Sequence, residues 1–375
     1  MMNYSANIRD IFDHKMPPGS GDPFLIGILP GEGIGPQIID ISLKLLDTIQ
    51  ECTPVRFKFE FGGAIGKEAL AKTGSSLTND VVSFCTGIFD NGGVVFCGPG
   101  GDRFVYELRR KFQMFCKLTP IYRLPALKQV GVLKPGISDA IDILVVRENC
   151  AGIYQGEYGL IEEGADTQAW QRFQYTKSQV IDIMEAAARA ALGRNRKVSV
   201  ITKPGGVPTI STLWDRIARE VLSSYGVAME TLEIDNACYQ IIARPADFDV
   251  VVAPNMLGDI VSDVASLLMG SRGLAHSANF SKDLRCAVYQ TGHGAAHDLK
   301  GKNIANPIGQ ILSLSMMLEQ SFGLVSIAQK IRDAVNSVLS DQLRTTDIAE
   351  PHSHITGTAE LGRMIDERLH SLLKP

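Results

Sequence analysis

Two aspartates in an apolar segment are the residues whose type and spacing most clearly suggest chemistry. Residues 255–263 read Asn-Met-Leu-Gly-Asp-Ile-Val-Ser-Asp, so Asp259 and Asp263 lie four positions apart. If the segment is helical, the two side chains are neighbours on one face, where like charges repel each other. A bound cation would remove this repulsion, and paired carboxylates favour Mg²⁺ or Mn²⁺ over zinc. The alternative is an amphipathic helix on which both aspartates are solvated.

The composition excludes several classes of partner. The 375 residues are 45% hydrophobic, which is enough for a large core and two domains. A net charge of -4 gives no basic excess for nucleic acid, and no apolar run approaches the roughly 18 residues that a membrane span needs. The seven cysteines form no Cys-x-x-Cys pair, which predicts reduced thiols in a cytoplasmic protein. We therefore expect neither a nucleic-acid nor a membrane partner.

Short apolar runs alternate with helical patterns along most of the chain. Unbroken apolar runs are typical of strands buried on both faces, so the pattern predicts an α/β fold with central sheets flanked by helices. A flexible arm is expected at residues 1–20. The predicted strands are 24–29, 93–97, 141–146, 198–201 and 248–252, and the predicted helices follow Pro36 through Ile49 and cover 178–192, 209–225, 235–243, 259–269, 307–321, 324–339 and 358–373.

A glycine-rich turn follows the first predicted strand. Residues 31–36 read Gly-Glu-Gly-Ile-Gly-Pro, which is not the G-x-G-x-x-G spacing of the Rossmann dinucleotide fold. The chain also lacks the G-x-x-x-x-G-K-[ST] pattern of nucleotide triphosphatases. The turn therefore indicates a tight connection between a strand and a helix in a non-Rossmann fold.

Four segments of the chain together form a recognisable pattern. They are 29–36 (Leu-Pro-Gly-Glu-Gly-Ile-Gly-Pro), 146–154 (Val-Arg-Glu-Asn-Cys-Ala-Gly-Ile-Tyr), 255–263 and 293–307 (His-Gly-Ala-Ala-His-Asp-Leu-Lys-Gly-Lys-Asn-Ile-Ala-Asn-Pro). In this order they resemble the segments of one enzyme family, the isocitrate and isopropylmalate dehydrogenases. The resemblance implies a two-domain fold in which residues 1–118 and 277–375 build a large, cofactor-binding domain. Residues 119–276 would build a small domain, and a homodimer would share its active sites.

The resemblance also implies a metal site and a reaction. Family members hold Mg²⁺ or Mn²⁺ with aspartates that match Asp259 and Asp263 and with a partner-subunit aspartate that matches Asp235. They oxidise a 2-hydroxy acid and release its β-carboxylate as carbon dioxide. The bound cation acts as a Lewis acid that stabilises the developing enolate. Read alone, Asp235 could equally be the N-cap of a helix.

Further site residues follow from the same resemblance. Lys203 matches the lysine that assists deprotonation of the hydroxyl group, and Tyr154 matches the tyrosine that protonates the enolate carbon. Arg109 and Arg147 match two of three arginines that bind substrate carboxylates, for which the guanidinium fork is suited. Without the resemblance, Lys203 would be interpreted as a solvated residue and Tyr154 as a packing residue.

Three positions depart from the family pattern. Thr119 stands where the third arginine is expected, and Gly205 stands where the family usually has asparagine near the nicotinamide. Arg103 occupies the place at which isocitrate enzymes have a serine. Our hypothesis is that Arg103 supplies the missing charge and contacts an acidic substituent of an unusual malate. The competing interpretation is a loop arginine that faces water.

The segment 293–307 matches the loop that binds the adenosine half of the cofactor. His293, Gly294, Asp298 and Asn306 are its candidate contacts. An aspartate at 298 can accept hydrogen bonds from the ribose hydroxyls of NAD, whereas it would repel the 2′-phosphate of NADP. The sequence therefore predicts NAD as the cofactor. The alternative for His293 is a loop residue without a ligand, which is the default for a histidine beside glycine.

These residues predict NAD-dependent oxidative decarboxylation of a 3-substituted malate, a small polycarboxylate. Isopropylmalate, isocitrate, homoisocitrate, tartrate and a phosphono-substituted malate all remain open as substrates. The alternative is a non-catalytic regulatory subunit of a hetero-oligomeric isocitrate dehydrogenase. The changes at Thr119 and Gly205 favour that alternative, whereas the retained metal and proton-transfer residues oppose it.

Overall fold

A mixed sheet of ten strands forms the centre of the protein. The structure is a computed structural model and describes residues 11, 23–131, 141–164 and 166–374. The strands of this part of the chain are β1 (Phe24–Leu29), β2 (Phe57–Phe61), β3 (Val94–Cys97), β4 (Cys116–Tyr122), β5 (Asp142–Glu148), β6 (Glu157–Glu163), β7 (Asp166–Arg172), β8 (Lys197–Thr202), β9 (Ala228–Glu233), β10 (Val250–Ala253), β11 (His276–Phe280), β12 (Ala287–Thr291), β13 (Leu343–Arg344) and β14 (His354–Ile355).

The order of the central sheet is β2-β1-β3-β12-β11-β4-β5-β10-β8-β9. Strands β2, β1, β3 and β12 are mutually parallel, as are β5, β10, β8 and β9. Between these two blocks, three successive antiparallel pairings involve β11 and β4. The two blocks therefore run in opposite directions. The carboxyl ends of β5, β10, β8 and β9 lie along one edge of the sheet, together with the amino end of β4.

Eight of the eleven α-helices described lie where the sequence predicts them, whereas the helices Gly66–Thr73, Asn79–Asp90 and Phe104–Lys111 were not predicted. The predicted segment 259–269 is instead an α-helix that begins at Asn255, directly after Pro254, and ends at Ala265, followed by a 3₁₀ turn at Ser266–Met269. The helices described are α1 (Gly35–Cys52), α2 (Gly66–Thr73), α3 (Asn79–Asp90), α4 (Phe104–Lys111), α5 (Lys177–Leu192), α6 (Pro208–Ser224), α7 (Ile234–Ala243), α8 (Asn255–Ala265), α9 (Ile308–Gln320), α10 (Val325–Ser340) and α11 (Thr358–Leu373).

Burial explains why the central strands are apolar without alternation. All residues of β3 and β10 are buried, as expected for strands that are covered on both faces. Helix α9 is likewise buried at every position and contacts β11, β12, α1 and α10. The seven cysteines are all free thiols, as the sequence predicts.

The predicted arm at residues 1–20 lies outside the described residues except for Ile11, which is buried in the main hydrophobic core. The division into a large and a small domain stays a prediction. Within the part of the chain that the structure describes, no helix is long and apolar enough to span a membrane.

The glycine-rich turn after β1 packs against the loop that follows β12. Gly33 has a φ of +63°, and a Cβ atom there would lie 2.0 Å from the carbonyl oxygen of Ala295. The backbone N–H of Ile34 donates to that same oxygen at 2.9 Å. Glycine is required at position 33 because both the backbone conformation and the contact exclude a side chain.

Glu32, in the same turn, joins two further loops. Its side chain is fully buried and accepts hydrogen bonds from the backbone N–H groups of Gly101, at 2.6 Å, and Glu68, at 3.0 Å. The Nε2 atom of His297 lies 3.6 Å from the Glu32 carboxylate. Glu32 therefore fixes the loops after β1, β3 and β12 relative to one another.

We predict that Gly33→Ala destabilises the protein more than Gly74→Ala. Gly74 also has a positive φ, +78°, but a Cβ atom there would meet nothing within 4 Å. The control should therefore cost only the left-handed backbone penalty, about 1 kcal/mol. Gly33→Ala adds a steric clash with Ala295 and should cost on the order of 3 kcal/mol. Urea unfolding of both variants measures the difference, and equal losses would contradict the described contact between the two loops.

Candidate functional site

Charged residues gather where four parallel strands end. Arg147 is the penultimate residue of β5, α8 begins two residues after β10, Lys203 follows β8, and Asp235 lies at the start of α7 after β9. In open α/β sheets, ligands bind outside the carboxyl ends of the strands. This edge of the sheet is therefore the candidate active site.

The ion pair between Arg147 and Asp259 is the centre of the site. Arg147 is 1% exposed, and its Nε and Nη2 atoms donate to Oδ1 of Asn255 at 3.2 and 2.8 Å, while Nη1 pairs with Asp259. Burial alone would raise the pKa of Asp259, but the positive charges of Arg147, Lys117 and Arg109 outweigh it. The pKa of the carboxyl group is therefore below its ordinary value, and Asp259 is ionised.

Two more cations are buried beside this pair. Arg109, on α4, is 5% exposed, and burial together with the charge of Arg147 lowers its pKa to about 9. Lys117, on β4, is 7% exposed, and burial together with the charges of Arg109 and Arg147 lowers its pKa to about 7. The sequence analysis found Arg109 and Arg147 but missed Lys117. A lysine inside the otherwise uncharged strand 116–122 was the available signal.

Asp263 has its own arginine partner. Arg272 pairs with Asp263 at 2.8 Å, and both side chains are more than half exposed. The predicted helix does place Asp259 and Asp263 together in α8, but arginines from this chain neutralise each carboxylate separately. Among the described residues, no cluster of three or more His, Cys, Asp and Glu side chains could hold a metal ion. Within a single chain, Asp235 therefore does not join Asp259 and Asp263 as a third metal ligand.

Tyr154 lies against the buried charges. Its ring is 5.1 Å from the ring of Tyr106 and 5.7 Å from the guanidinium of Arg147. Burial, the negative charge of Asp259 and the neighbouring Tyr106 raise the pKa of the Tyr154 phenol to about 12. The phenol is therefore protonated at neutral pH and hydrogen-bonded to Asp259, which is the state that a proton donor requires.

Lys203 and Asp235 form an exposed pair. The Nζ atom of Lys203 lies 2.8 Å from Asp235 and 2.8 Å from Glu233, and the Asp235 side chain is 70% exposed. Hydrogen bonds from these two carboxylates raise the pKa of Lys203. A lysine that accepts a proton needs the opposite shift. Asp235 lies inside the first turn of α7 rather than at its N-cap.

Arg103 is at the border of the site. It precedes α4, and its Nη2 atom donates to the carbonyl oxygen of Tyr154 at 3.2 Å. Its guanidinium lies 5.5 Å from the ring of Tyr106 and 5.3 Å from the ring of Tyr158. Arg103 is thus held by aromatic rings next to the predicted proton donor.

The departures at positions 119 and 205 have different surroundings. Thr119 is 5% exposed and lies on β4, two residues beyond Lys117. Side chains two residues apart on a strand point to the same face of the sheet. Gly205 is exposed in the turn after β8, and a Cβ atom there would meet nothing within 4 Å. The structure therefore gives no steric reason for glycine at position 205.

The loop after β12 contains the candidate cofactor residues. His293 Nδ1 lies 2.9 Å from the carbonyl oxygen of Gly294, while its Nε2 atom is buried without a hydrogen-bond partner in the described structure. Burial, together with the charge of Arg272, lowers the pKa of His293. Asn306 is buried and donates to Asp347 at 3.1 Å. Asp298, by contrast, is exposed.

Known proteins resemble this chain over most of its length. The family model described as isocitrate/isopropylmalate dehydrogenase matches residues 25–365. The 3-isopropylmalate dehydrogenase of Thermotoga maritima is 36% identical over 365 residues, which cover 92% of this chain and 99% of the relative. That of Syntrophotalea carbinolica is 36% identical over 341 residues, covering 87% of this chain and 92% of the relative.

A solved structure gives the same answer for the fold. The crystal structure of isocitrate dehydrogenase from Methylococcus capsulatus matches with a TM-score of 0.82 and 29% identity, and the match covers 92% of this chain and 99% of that one. The predicted α/β fold is confirmed. This chain belongs to the isocitrate/isopropylmalate dehydrogenase family.

Proposed function

We propose that the chain is an NAD-dependent, divalent-metal-dependent enzyme that oxidatively decarboxylates a 3-substituted malate. The observation that carries this proposal is the buried cluster of Arg109 and Arg147 around Asp259, with the protonated Tyr154 beside it. Two buried guanidinium groups suit a substrate with two carboxylates. The names of the relatives, 3-isopropylmalate dehydrogenase and isocitrate dehydrogenase, support the same reaction class.

A divalent cation would be held by Asp259, Asp263 and the Asp235 of a second chain. The three carboxylates fit the oxygen-rich donor set of Mg²⁺ or Mn²⁺. When bound, the cation supplies Lewis-acid stabilisation of negative charge on the C2 oxygen of the substrate. In this chain the positive charges of Arg147, Lys117 and Arg109 keep the Asp259 carboxylate ionised. The exposure of Asp235, 70%, leaves it free to reach another chain.

NAD would be held by the loop that contains His293, Gly294, Asp298 and Asn306. The unpartnered Nε2 atom of His293 and the exposed carboxylate of Asp298 are polar groups available to a ligand. A Cβ atom at Gly294 would meet nothing within 4 Å, so the backbone is open to close approach. When bound, the cofactor would supply the hydride acceptor for oxidation at C2 of the substrate.

The chain's own residues would handle the protons. Lys203, linked to Asp235, would take the proton of the substrate hydroxyl in the site of the partner chain. Tyr154 would donate its proton to C3 after carbon dioxide has left. Its pKa of about 12 keeps the phenol protonated until that step.

A homodimer would bring these groups together. The hairpin of β6 and β7 exposes large apolar side chains, and Tyr239 on α7 is 70% exposed. An apolar surface of this kind is typical of protein interfaces. Dimerisation with a second copy would bury this apolar surface and would place Lys203 and Asp235 in the active site of the partner chain. The exposed apolar residues of the hairpin are Tyr158, Leu160, Ile161 and Trp170.

We also propose a cytoplasmic location, which suits the seven free thiols.

The first prediction from this proposal is that the protein catalyses the reduction of NAD when Mn²⁺ and a suitable 3-substituted malate are present. NADH absorbance should be followed with isopropylmalate, isocitrate, homoisocitrate, tartrate and phosphonomethyl malate, each with NAD and with NADP. We expect turnover of at least one of these acids, with a higher kcat/KM for NAD because Asp298 repels a 2′-phosphate. No turnover on the whole panel would support the regulatory subunit instead, and a preference for NADP would refute the role of Asp298.

The second prediction concerns the shared metal site. Asp263→Asn and Asp235→Asn should each weaken Mn²⁺ binding at least about tenfold, because each removes a charged ligand. Asp215→Asn is the matched control, since it also breaks an aspartate–arginine pair on a helix. Electron paramagnetic resonance titration of free Mn²⁺ measures the affinity.

Mixing these two variants tests directly whether two chains share the metal site. A mixed dimer of Asp263→Asn and Asp235→Asn chains contains one site with all three aspartates and one site that lacks two. Co-refolding the two should therefore restore one tight Mn²⁺ site per mixed dimer. Unchanged binding in both single variants, or no recovery in the mixed dimer, would exclude this arrangement.

The third prediction concerns Arg103. Arg103→Ala should raise KM for malates with an acidic substituent and leave KM for isopropylmalate unchanged, because only the former offers the guanidinium an anion. The loss should be about tenfold, as expected for one charged hydrogen bond. Arg110→Ala, which removes a solvated charge from the same region, is the control. An unchanged KM for the acidic malates would refute a substrate contact.

A further inference from the structure

Lys117 lies opposite Arg147 in the sheet. In the antiparallel pairing of β4 and β5, Lys117 is aligned with Arg147, and in the pairing of β4 and β11 it is aligned with Asn279. Directly opposed residues of antiparallel strands place their side chains on the same face, with Cβ atoms about 4.5–5.5 Å apart. Two positive side chains therefore share one face of the sheet at the candidate site.

This arrangement is unfavourable in the protein alone. Like charges opposite each other destabilise a sheet, and a buried ammonium group is costly without an anionic partner. Lys117 is 7% exposed, and no hydrogen bond or ion pair of its side chain occurs among the described residues. The charged groups around it are two cations, Arg109 and Arg147, and two carboxylates, Asp259 and Asp263.

Each of these two carboxylates is already paired with an arginine. Asp259 pairs with Arg147, and Asp263 pairs with Arg272. Arg109, also buried, adds a further positive charge. The site therefore holds more buried positive charge than its own carboxylates compensate, and an anionic ligand would remove the imbalance.

The position of Lys117 also explains the departure at Thr119. The two residues are separated by one position on β4, so their side chains lie on the same face of the sheet. Thr119 cannot supply the charge that an arginine would supply there. Lys117, the neighbouring residue on the same face of β4, can supply a positive charge.

We propose that Lys117 is a substrate-binding residue that contacts a carboxylate of the malate unit, in place of the arginine missing at Thr119. This inference rests on the proposed function, because it assumes a malate-type substrate. It assigns Lys117 to the part of the substrate that all candidate malates have in common. Arg103, outside the buried cluster, is left for the variable substituent.

The test uses direct binding of two probes to the full-length protein. Isopropylmalate and isocitrate are titrated by calorimetry in the presence of Mn²⁺ and without NAD. Lys117→Met removes the charge at nearly constant volume and should weaken binding of both probes about tenfold or more, as loss of one charged hydrogen bond implies. Lys117→Arg should retain most of the affinity.

A second variant moves the charge instead of removing it. Lys117→Met combined with Thr119→Arg restores a cation to the same face and should recover part of the lost affinity for both probes. The ligand-free Tm of Lys117→Met should be equal to or higher than that of the wild type, because an uncompensated buried charge has been removed. A residue with a merely structural role would show the reverse, a lower Tm with unchanged binding.

The outcomes separate this inference from the proposed function. If the wild type binds the malates through Lys117 but oxidises none of them, the proposed function fails and the inference stands. Unchanged binding in Lys117→Met overturns the inference, as does a loss that is confined to isocitrate, which would place Lys117 at the substituent. A wild type that binds neither probe overturns both proposals.

Discussion

The buried side chain of Arg147 is the constraint on which the rest of the site depends. It joins β5 to α8 through two hydrogen bonds to Asn255 and the ion pair with Asp259. A Cβ atom at Gly258 would lie 2.8 Å from Cγ of Arg147, so the glycine allows the helix to approach the arginine. Because a buried charge is costly without its partners, these contacts fix the helix that presents both aspartates. Tyr154 lies beside the same guanidinium, and burial together with the negative charge of Asp259 raises the pKa of its phenol and keeps it protonated.

Charge balance links the separate parts of the site. Among the described residues, Arg109, Lys117 and Arg147 are buried near one another, and Asp259 pairs with Arg147. Under the proposed function, an anionic substrate would offset the buried cations, and a divalent metal would offset the aspartates. In the single chain Lys203 is held in its charged form by Asp235 and Glu233. A proton-accepting lysine needs the opposite shift, so the proposed role of Lys203 requires different surroundings from those in the single chain.

Local patterns predicted much of the fold and part of the site. The unbroken apolar runs predicted five of the ten strands in the central sheet, β1, β3, β5, β8 and β10, because burial on both faces leaves no alternation. Strands β2, β4, β9, β11 and β12 were not predicted. The spacing of Asp259 and Asp263 correctly suggested that both lie in one helix. Lys117 could not be found in this way. Its importance comes from its alignment with Arg147, which depends on strand pairing between distant segments. The arginine partner of Asp263 and the loops held by Glu32 likewise depend on tertiary contacts.

The order of the strands also bears on how the chain is made. Strands β11 and β12 come from residues 276–291 but lie between β3 and β4. A nascent chain that ends before them has two unjoined half-sheets, with β3 and β4 as bare edges. Such edges favour aggregation, and pairing over so long a sequence separation is slow. During translation, the two half-sheets therefore stay unjoined until residues 276–291 have been made.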